Sequence, residues 1–90
     1  MTEIAGEVEV VNSLGIHARP AAALVQQLLK FDSEIYISFK GNRVNAKSIM
    51  GLLTLGAARG SLLEVSCSGP DAEEAYAAVA EMFASGFGEA

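Results

Sequence analysis

His17 is the only imidazole in the chain, and Arg19 follows it at a spacing of two, just before Pro20 and a run of apolar residues. A neutral imidazole is nucleophilic near neutral pH and leaves well once protonated, so it can accept a group and pass it on. Arg19 adds a fixed cation whose planar fork of donors matches phosphate oxygens. If a helix begins here, its first N–H groups have no partner within the helix and carry partial positive charge, which favours an anion. Histidine, arginine and helix end together describe a site where phosphate is taken up on histidine. The P–N bond so formed is labile and suits a carrier. The plainer alternative is that His17 is a polar cap or surface residue and Arg19 a solvated charge.

The elements around these residues must therefore place His17 at a helix start. Glu7 to Val11 alternates acid and valine, the period of a half-buried strand, and stops at the turn composition Asn12-Ser13-Leu14-Gly15. Ala18, Ala21, Ala22, Val25, Leu28 and Leu29 then recur at the spacing of one helix face. Pro20 is tolerated in a first turn, where its missing N–H has no intrahelical partner, so the helix starts at or next to His17.

Further on, Glu34 to Phe39 sets Ile35, Ile37 and Phe39 on one side of a strand. Lys40-Gly41-Asn42 turns the chain into a short strand from Arg43 to Ala46, giving a hairpin. Ser48 to Leu55 predicts a short helix with Ser48 as N-cap and Gly56 as stop, weakened by Gly51. Ser61 to Ser68 predicts a strand that turns Leu63, Val65 and Cys67 inward. Asp71, with Glu74 three residues on, predicts a capped helix whose apolar stripe is Ala72, Ala75, Tyr76, Val79, Met82 and Phe83, ending at Ser85-Gly86. Helices with one apolar stripe each imply an α+β fold of two layers, helices laid on one face of a four-stranded antiparallel sheet.

Composition narrows the partners. Ninety residues, 51% of them hydrophobic, make one domain, residues 1–90, with a modest core. A formal net charge of −5, from six Lys+Arg against eleven Asp+Glu, argues against nucleic acid. One cysteine permits no intramolecular disulfide, and one Cys with one His cannot form a four-ligand zinc site. No cofactor or metal is expected. Met1 to Val10 has neither a basic region nor a long apolar one, so a cytoplasmic protein with no membrane association is expected.

The chain resembles the HPr family, the histidine-containing phosphocarriers of the bacterial phosphoenolpyruvate:sugar phosphotransferase system, from about Glu7 to Gly88. The likeness rests on N-S-L-G-I-H-A-R-P-A-A (Asn12 to Ala22) and N-A-K-S-I-M-G-L-L-T-L (Asn45 to Leu55), in the family's order and separation. It implies an open-faced sandwich of four antiparallel strands under three helices. By position it also implies that His17 is phosphorylated, that Arg19 contacts the phosphate, and that Ser48 is a regulatory serine. Enzyme I would be the donor, an enzyme IIA domain the acceptor, and a bifunctional serine kinase/phosphatase the regulator, with the carrier itself monomeric and not an enzyme. The surface offered to partners would comprise Ala21, Leu24, Ile49, Met50 and Leu53.

Each of these residues has a plainer role as well. Ser48 fits an ordinary N-cap, and at least one of Ile49, Met50 and Leu53 fits core packing. Gln26, Leu29 and Gly51 stand where many family members carry lysine. The ending Met82 to Gly88 resembles the nitrogen-related branch of the system, whereas Ala46-Lys47-Ser48 resembles the kinase-regulated carbon branch. A regulatory binding protein working through Ser48, without flux through His17, is the main alternative function. A small-ligand or metal-binding module would need a polar cluster lining a pocket, and the sequence presents none.

Overall fold

The computed structural model describes residues 2–89. Its elements run β1 (Thr2–Glu9), α1 (Ala18–Leu28), β2 (Glu34–Phe39), β3 (Asn42–Asn45), α2 (Ile49–Thr54), β4 (Leu62–Gly69) and α3 (Ala72–Ala84), followed by a 3₁₀ turn over Gly86–Gly88. The four strands form one antiparallel sheet in the order β1-β4-β2-β3. Since β1 and β2 both pair antiparallel to β4, they run parallel to each other and need a long crossover, which α1 supplies.

Alternation along the strands sends one set of side chains to the helices. Ile4, Cys67 and Ile35 lie opposite one another across three strands, and Gly6, Val65, Ile37 and Val44 form the next row across four. Leu24 and Leu28 of α1, Leu52 of α2, and Val79 and Phe83 of α3 close the layer above, each at most 1% exposed. Full burial of side chains of this size stabilises the fold by roughly 1.5–3 kcal/mol apiece. Gly6 is small for a reason of space: a Cβ there would sit 2.1 Å from the Tyr76 hydroxyl oxygen, which α3 lays against β1. Cys67 is buried, and that burial, with Asp71 nearby, pushes its thiol up to about 11, so it stays protonated and acts as a core residue. The other sheet face, with Glu3, Glu7, Glu9 and Glu64, is left exposed.

The sequence-based reading needs correction at several elements, among them β4, which runs Leu62–Gly69, one residue later than expected. β1 begins at Thr2 and ends at Glu9, rather than running from Glu7 to Val11. Ala5 and Gly6 disfavour a strand by themselves, and pairing with the whole length of β4 overrides that preference. Val10 leaves the ladder but stays tied, donating to the Ser61 carbonyl at 2.9 Å and accepting from the Gly60 N–H at 2.7 Å. On α1 the buried stripe is Pro20, Ala21, Leu24, Val25 and Leu28, while Ala18 and Leu29 face solvent. β3 lies one residue earlier than expected, at Asn42–Asn45.

Asp71 does not cap α3 with its side chain. Its carboxylate instead reaches back to the loop before β2, accepting from the Asp32 N–H, the Ser33 N–H and the Ser33 hydroxyl at 2.9, 2.9 and 2.5 Å. The Ser33 hydroxyl, before the backbone bonds, pulls the Asp71 carboxyl below its ordinary range. Glu74, expected to complete a capping box, is exposed on α3.

Candidate functional site

The loop from Asn12 to His17 is folded by its own hydrogen bonds before any functional group is considered. Asn12 is buried; its side-chain amide donates to the Gly15 carbonyl at 2.7 Å, and its backbone carbonyl accepts from the Gly15 N–H at 3.2 Å. Gly15 has a φ of +69°, and a Cβ there would lie 2.5 Å from the Ala57 carbonyl oxygen. Both the backbone angle and the space require glycine. The next residue, Ile16, donates to that same Ala57 carbonyl at 3.0 Å, fastening the loop to the segment that follows α2.

His17 is then the N-cap of α1, with extended backbone (φ −110°, ψ −169°), and its carbonyl accepts from the Ala21 N–H at 3.1 Å. Pro20 has no N–H, so the first-turn donors left without an intrahelical partner are those of Ala18 and Arg19. No acidic residue stands in that first turn. The site is therefore electropositive by its backbone and by Arg19.

A third charged group completes it. After α3 the chain turns through Gly86, Phe87 and Gly88 at φ values of +63°, +57° and +74°. Phe87 is an uncommon residue for this region, which costs a non-glycine residue about 1–2 kcal/mol. Its ring packs edge-on to Phe83 with centroids 4.8 Å apart, which offsets that strain. The hook returns Glu89 to the start of α1. There the Glu89 carboxylate lies 3.1 and 3.0 Å from His17 Nε2 through its two oxygens. Oε2 also accepts from Arg19 Nε at 3.1 Å, and Oε1 from the Asn12 amide at 2.9 Å.

The His17 bond, ahead of the Asn12 and Arg19 bonds, pulls the Glu89 carboxyl below its ordinary range, so it is ionised at neutral pH. The His17 side chain is 37% exposed and Arg19 68%, against 11% for Glu89: the imidazole and guanidinium reach solvent while the carboxylate sits beneath them. Sequence reasoning missed Glu89. The only signal was the pairing of two glycines around an aromatic residue, Gly86-Phe87-Gly88, immediately before an acid.

The structure separates the other expected site residues into two groups. Ser48 is half-buried at the N-cap of α2, its Oγ accepting from the Gly51 N–H at 3.0 Å. Next to it Ile49 and Met50 are exposed, and Leu14 is exposed in the loop before His17. Leu53 is partly buried against the core. Ala21 and Leu24 lie wholly inside, so their side chains offer no surface to a partner: the helix face that carries them is the one turned to the sheet. Lys47 is drawn inward, its Nζ donating to the Phe31 carbonyl at 2.6 Å. Gly51 has a packing reason too, since a Cβ there would meet Val44 Cβ at 3.2 Å and Ser48 Oγ at 3.3 Å.

Fold and site together define a class: a small open-faced sandwich that presents a solvent-accessible histidine, beside an arginine, at the N-terminus of its first helix. Comparison with known proteins specifies it further. A family model described as the PTS HPr component phosphorylation site matches residues 4–85. A phosphocarrier protein HPr of Xylella fastidiosa is 46% identical over 83 residues, 92% of this chain and 93% of that one. The crystal structure of HPr-C-His from Thermoanaerobacter tengcongensis superposes with a TM-score of 0.89 at 43% identity, covering 100% of this chain and 99% of that one. A phosphocarrier protein HPr from Bacillus anthracis superposes at 0.87 with 40% identity, over 92% of this chain and 99% of its own. The chain belongs to the HPr family of phosphocarrier proteins of the phosphotransferase system.

Proposed function

We propose that His17 is the residue that carries the phosphoryl group, received from phosphorylated enzyme I and passed to an enzyme IIA domain. The observation that supports this most is the meeting of the accessible His17 ring with the Arg19 guanidinium at the α1 N-terminus. In the transfer, a lone pair of the imidazole attacks phosphorus on the donor's phosphohistidine. A new N–P bond forms while the donor's N–P bond breaks, its electron pair returning to the donor ring. Three anionic oxygens then face the Ala18 and Arg19 N–H groups and the guanidinium, which stabilise the charge in flight and on the product. The reverse sequence delivers the group to the acceptor, so the protein is a carrier and does not turn over substrate by itself. It acts in the cytoplasm, as a monomer and as one domain.

Ser48 is proposed as a second, regulatory site for a serine kinase/phosphatase. Its hydroxyl oxygen already faces a helix N-terminus, where a phosphate is tolerated. The exposed pair Ile49 and Met50 beside it supports a docking patch for the partner enzymes, and Met50 supplies adaptability. A dianion at the edge of that patch would have to be desolvated as an acidic partner surface closed over it, which weakens docking without unfolding the domain.

The test is incubation with phosphoenolpyruvate and enzyme I, followed by intact-mass measurement. One phosphoryl adduct is expected on the wild-type protein and none on His17→Ala; an adduct on the variant would refute the assignment.

A further inference from the structure

We infer that Glu89 is a positioning residue for phosphoryl transfer, fixing the His17 imidazole as the Nε2–H tautomer and aiming Arg19 with the same carboxylate. The inference rests on the phosphocarrier reading above and adds to it a residue that neither signature motif contains.

An ionised carboxylate has no proton to give and can only accept hydrogen bonds. Glu89 is ionised at neutral pH, and both of its oxygens lie within 3.1 Å of His17 Nε2. Nε2 must therefore be the donor. A neutral imidazole carries one N–H, so Nδ1 holds the lone pair, and Nδ1 has no hydrogen-bond partner among the described residues. The nucleophilic atom is thereby selected and left free. When Nδ1 attacks phosphorus, positive charge develops on the ring, and the carboxylate at Nε2 stabilises it without moving; Nε2 keeps its proton throughout. This is the base-and-orienter arrangement in which a buried acid holds an imidazole in its working tautomer.

The same group aligns the arginine. Of the Arg19 donors, Glu89 Oε2 takes the Nε–H alone, at 3.1 Å, so the N–H donors on the two terminal nitrogens of the fork stay available for phosphate oxygens. The Asn12 amide bonds Oε1 at 2.9 Å and fixes the carboxylate from below. Among the described residues, the charged and titratable groups facing Glu89 are His17 and Arg19, both at the start of α1, while the loop contributes the neutral Asn12 amide. The left-handed turn through Gly86, Phe87 and Gly88 is what brings the acid there, and it accounts for strained backbone at that point.

Two readouts keep this inference distinct from the carrier assignment. Imidazole ¹⁵N shifts of the free, uniformly labelled protein, measured where His17 is neutral, report the tautomer with no donor present. Transfer from phospho-enzyme I, measured across donor concentration, separates the rate at saturation from donor affinity. In wild type the Nε2–H tautomer should dominate. Glu89→Ala should move the ring toward a mixture of tautomers and lower the saturated rate roughly tenfold to a hundredfold, the range expected on losing a charge-assisted hydrogen bond. Donor affinity and melting temperature should hold. Glu89→Gln keeps an acceptor without the charge, so it should restore the tautomer and recover part of the rate. An unchanged tautomer in Glu89→Ala overturns the inference, and so does a rate equal to or faster than wild type, which would make Glu89 an obstructing anion. A wild-type protein that takes up no phosphoryl group while showing the expected tautomers would instead overturn the carrier reading.

Discussion

The two hydroxyl- and imidazole-bearing helix starts of this molecule are built in opposite ways. At Ser48 the cap is local: the side chain caps the N–H three residues on, and the preceding Lys47 backbone N–H is held by Asn45 Oδ1 at 2.8 Å. At His17 the bonds close over nearly the whole chain, with Glu89 reaching residues 77, 72 and 70 positions earlier at Asn12, His17 and Arg19. A local cap is set by residues within one turn of it. A site assembled from two distant segments holds charges in a set geometry that no short stretch could impose, and it depends on every segment that delivers them. That difference suits the regulatory position proposed at one helix and the group transfer proposed at the other.

The comparison breaks first at Gly15. Gly15→Ala must place a Cβ against the Ala57 carbonyl and hold a left-handed φ, so it should cost about 2 kcal/mol or more. Because the loop sets His17, transfer should slow in step with the fall in melting temperature measured by calorimetry. Relaxed loop structure with unchanged stability would contradict this. Ser48→Ala comes next. It removes one capping bond and should cost about 1 kcal/mol, with transfer through His17 unaffected, since nothing at that site uses Ser48.

Arg19→Ala inverts the pattern. The side chain is 68% exposed, and surface charges of this kind usually change stability by within about 0.5 kcal/mol, so the melting temperature should hold while the transfer rate falls. A substantial loss of stability would mark Arg19 as structural. The smallest effect is electrostatic. Glu89 is held below the ordinary glutamate range by the His17 bond first, so the contact among Glu89, His17 and Arg19 is complete above that range and is lost as pH falls through the depressed value. Removing the largest cause in His17→Ala should raise the Glu89 titration toward 4.5, read from its carboxyl ¹³C shift. An unchanged midpoint would show that the bond is not formed in solution.

How much of this was legible in sequence follows the same division between local and distant. Period-two strands such as Ile35 and Ile37, the Leu63, Val65 and Cys67 face, and the Ser48 cap are patterns within a few residues, and the structure has them as read. On α1 the periodicity was right and its phase was not: alanine and leucine at Ala18 and Leu29 are apolar yet exposed, while Leu24 lies in the core. Apolar character alone does not fix a helix's rotation when most of one turn is alanine. Asp71 had the composition of a cap but found stronger donors in the Asp32-Ser33 loop, 39 and 38 residues away. Glu89 had no local pattern at all. Its place depends on three consecutive left-handed residues and on where α3 ends over α1, which only the folded chain determines.

The measurement that tests the account most directly is ¹⁵N and ³¹P NMR of the protein after phosphorylation by enzyme I. One phosphoryl group is expected on Nδ1 of His17, with Nε2 still protonated against Glu89. Phosphorus on Nε2, or on any residue other than His17, would contradict it.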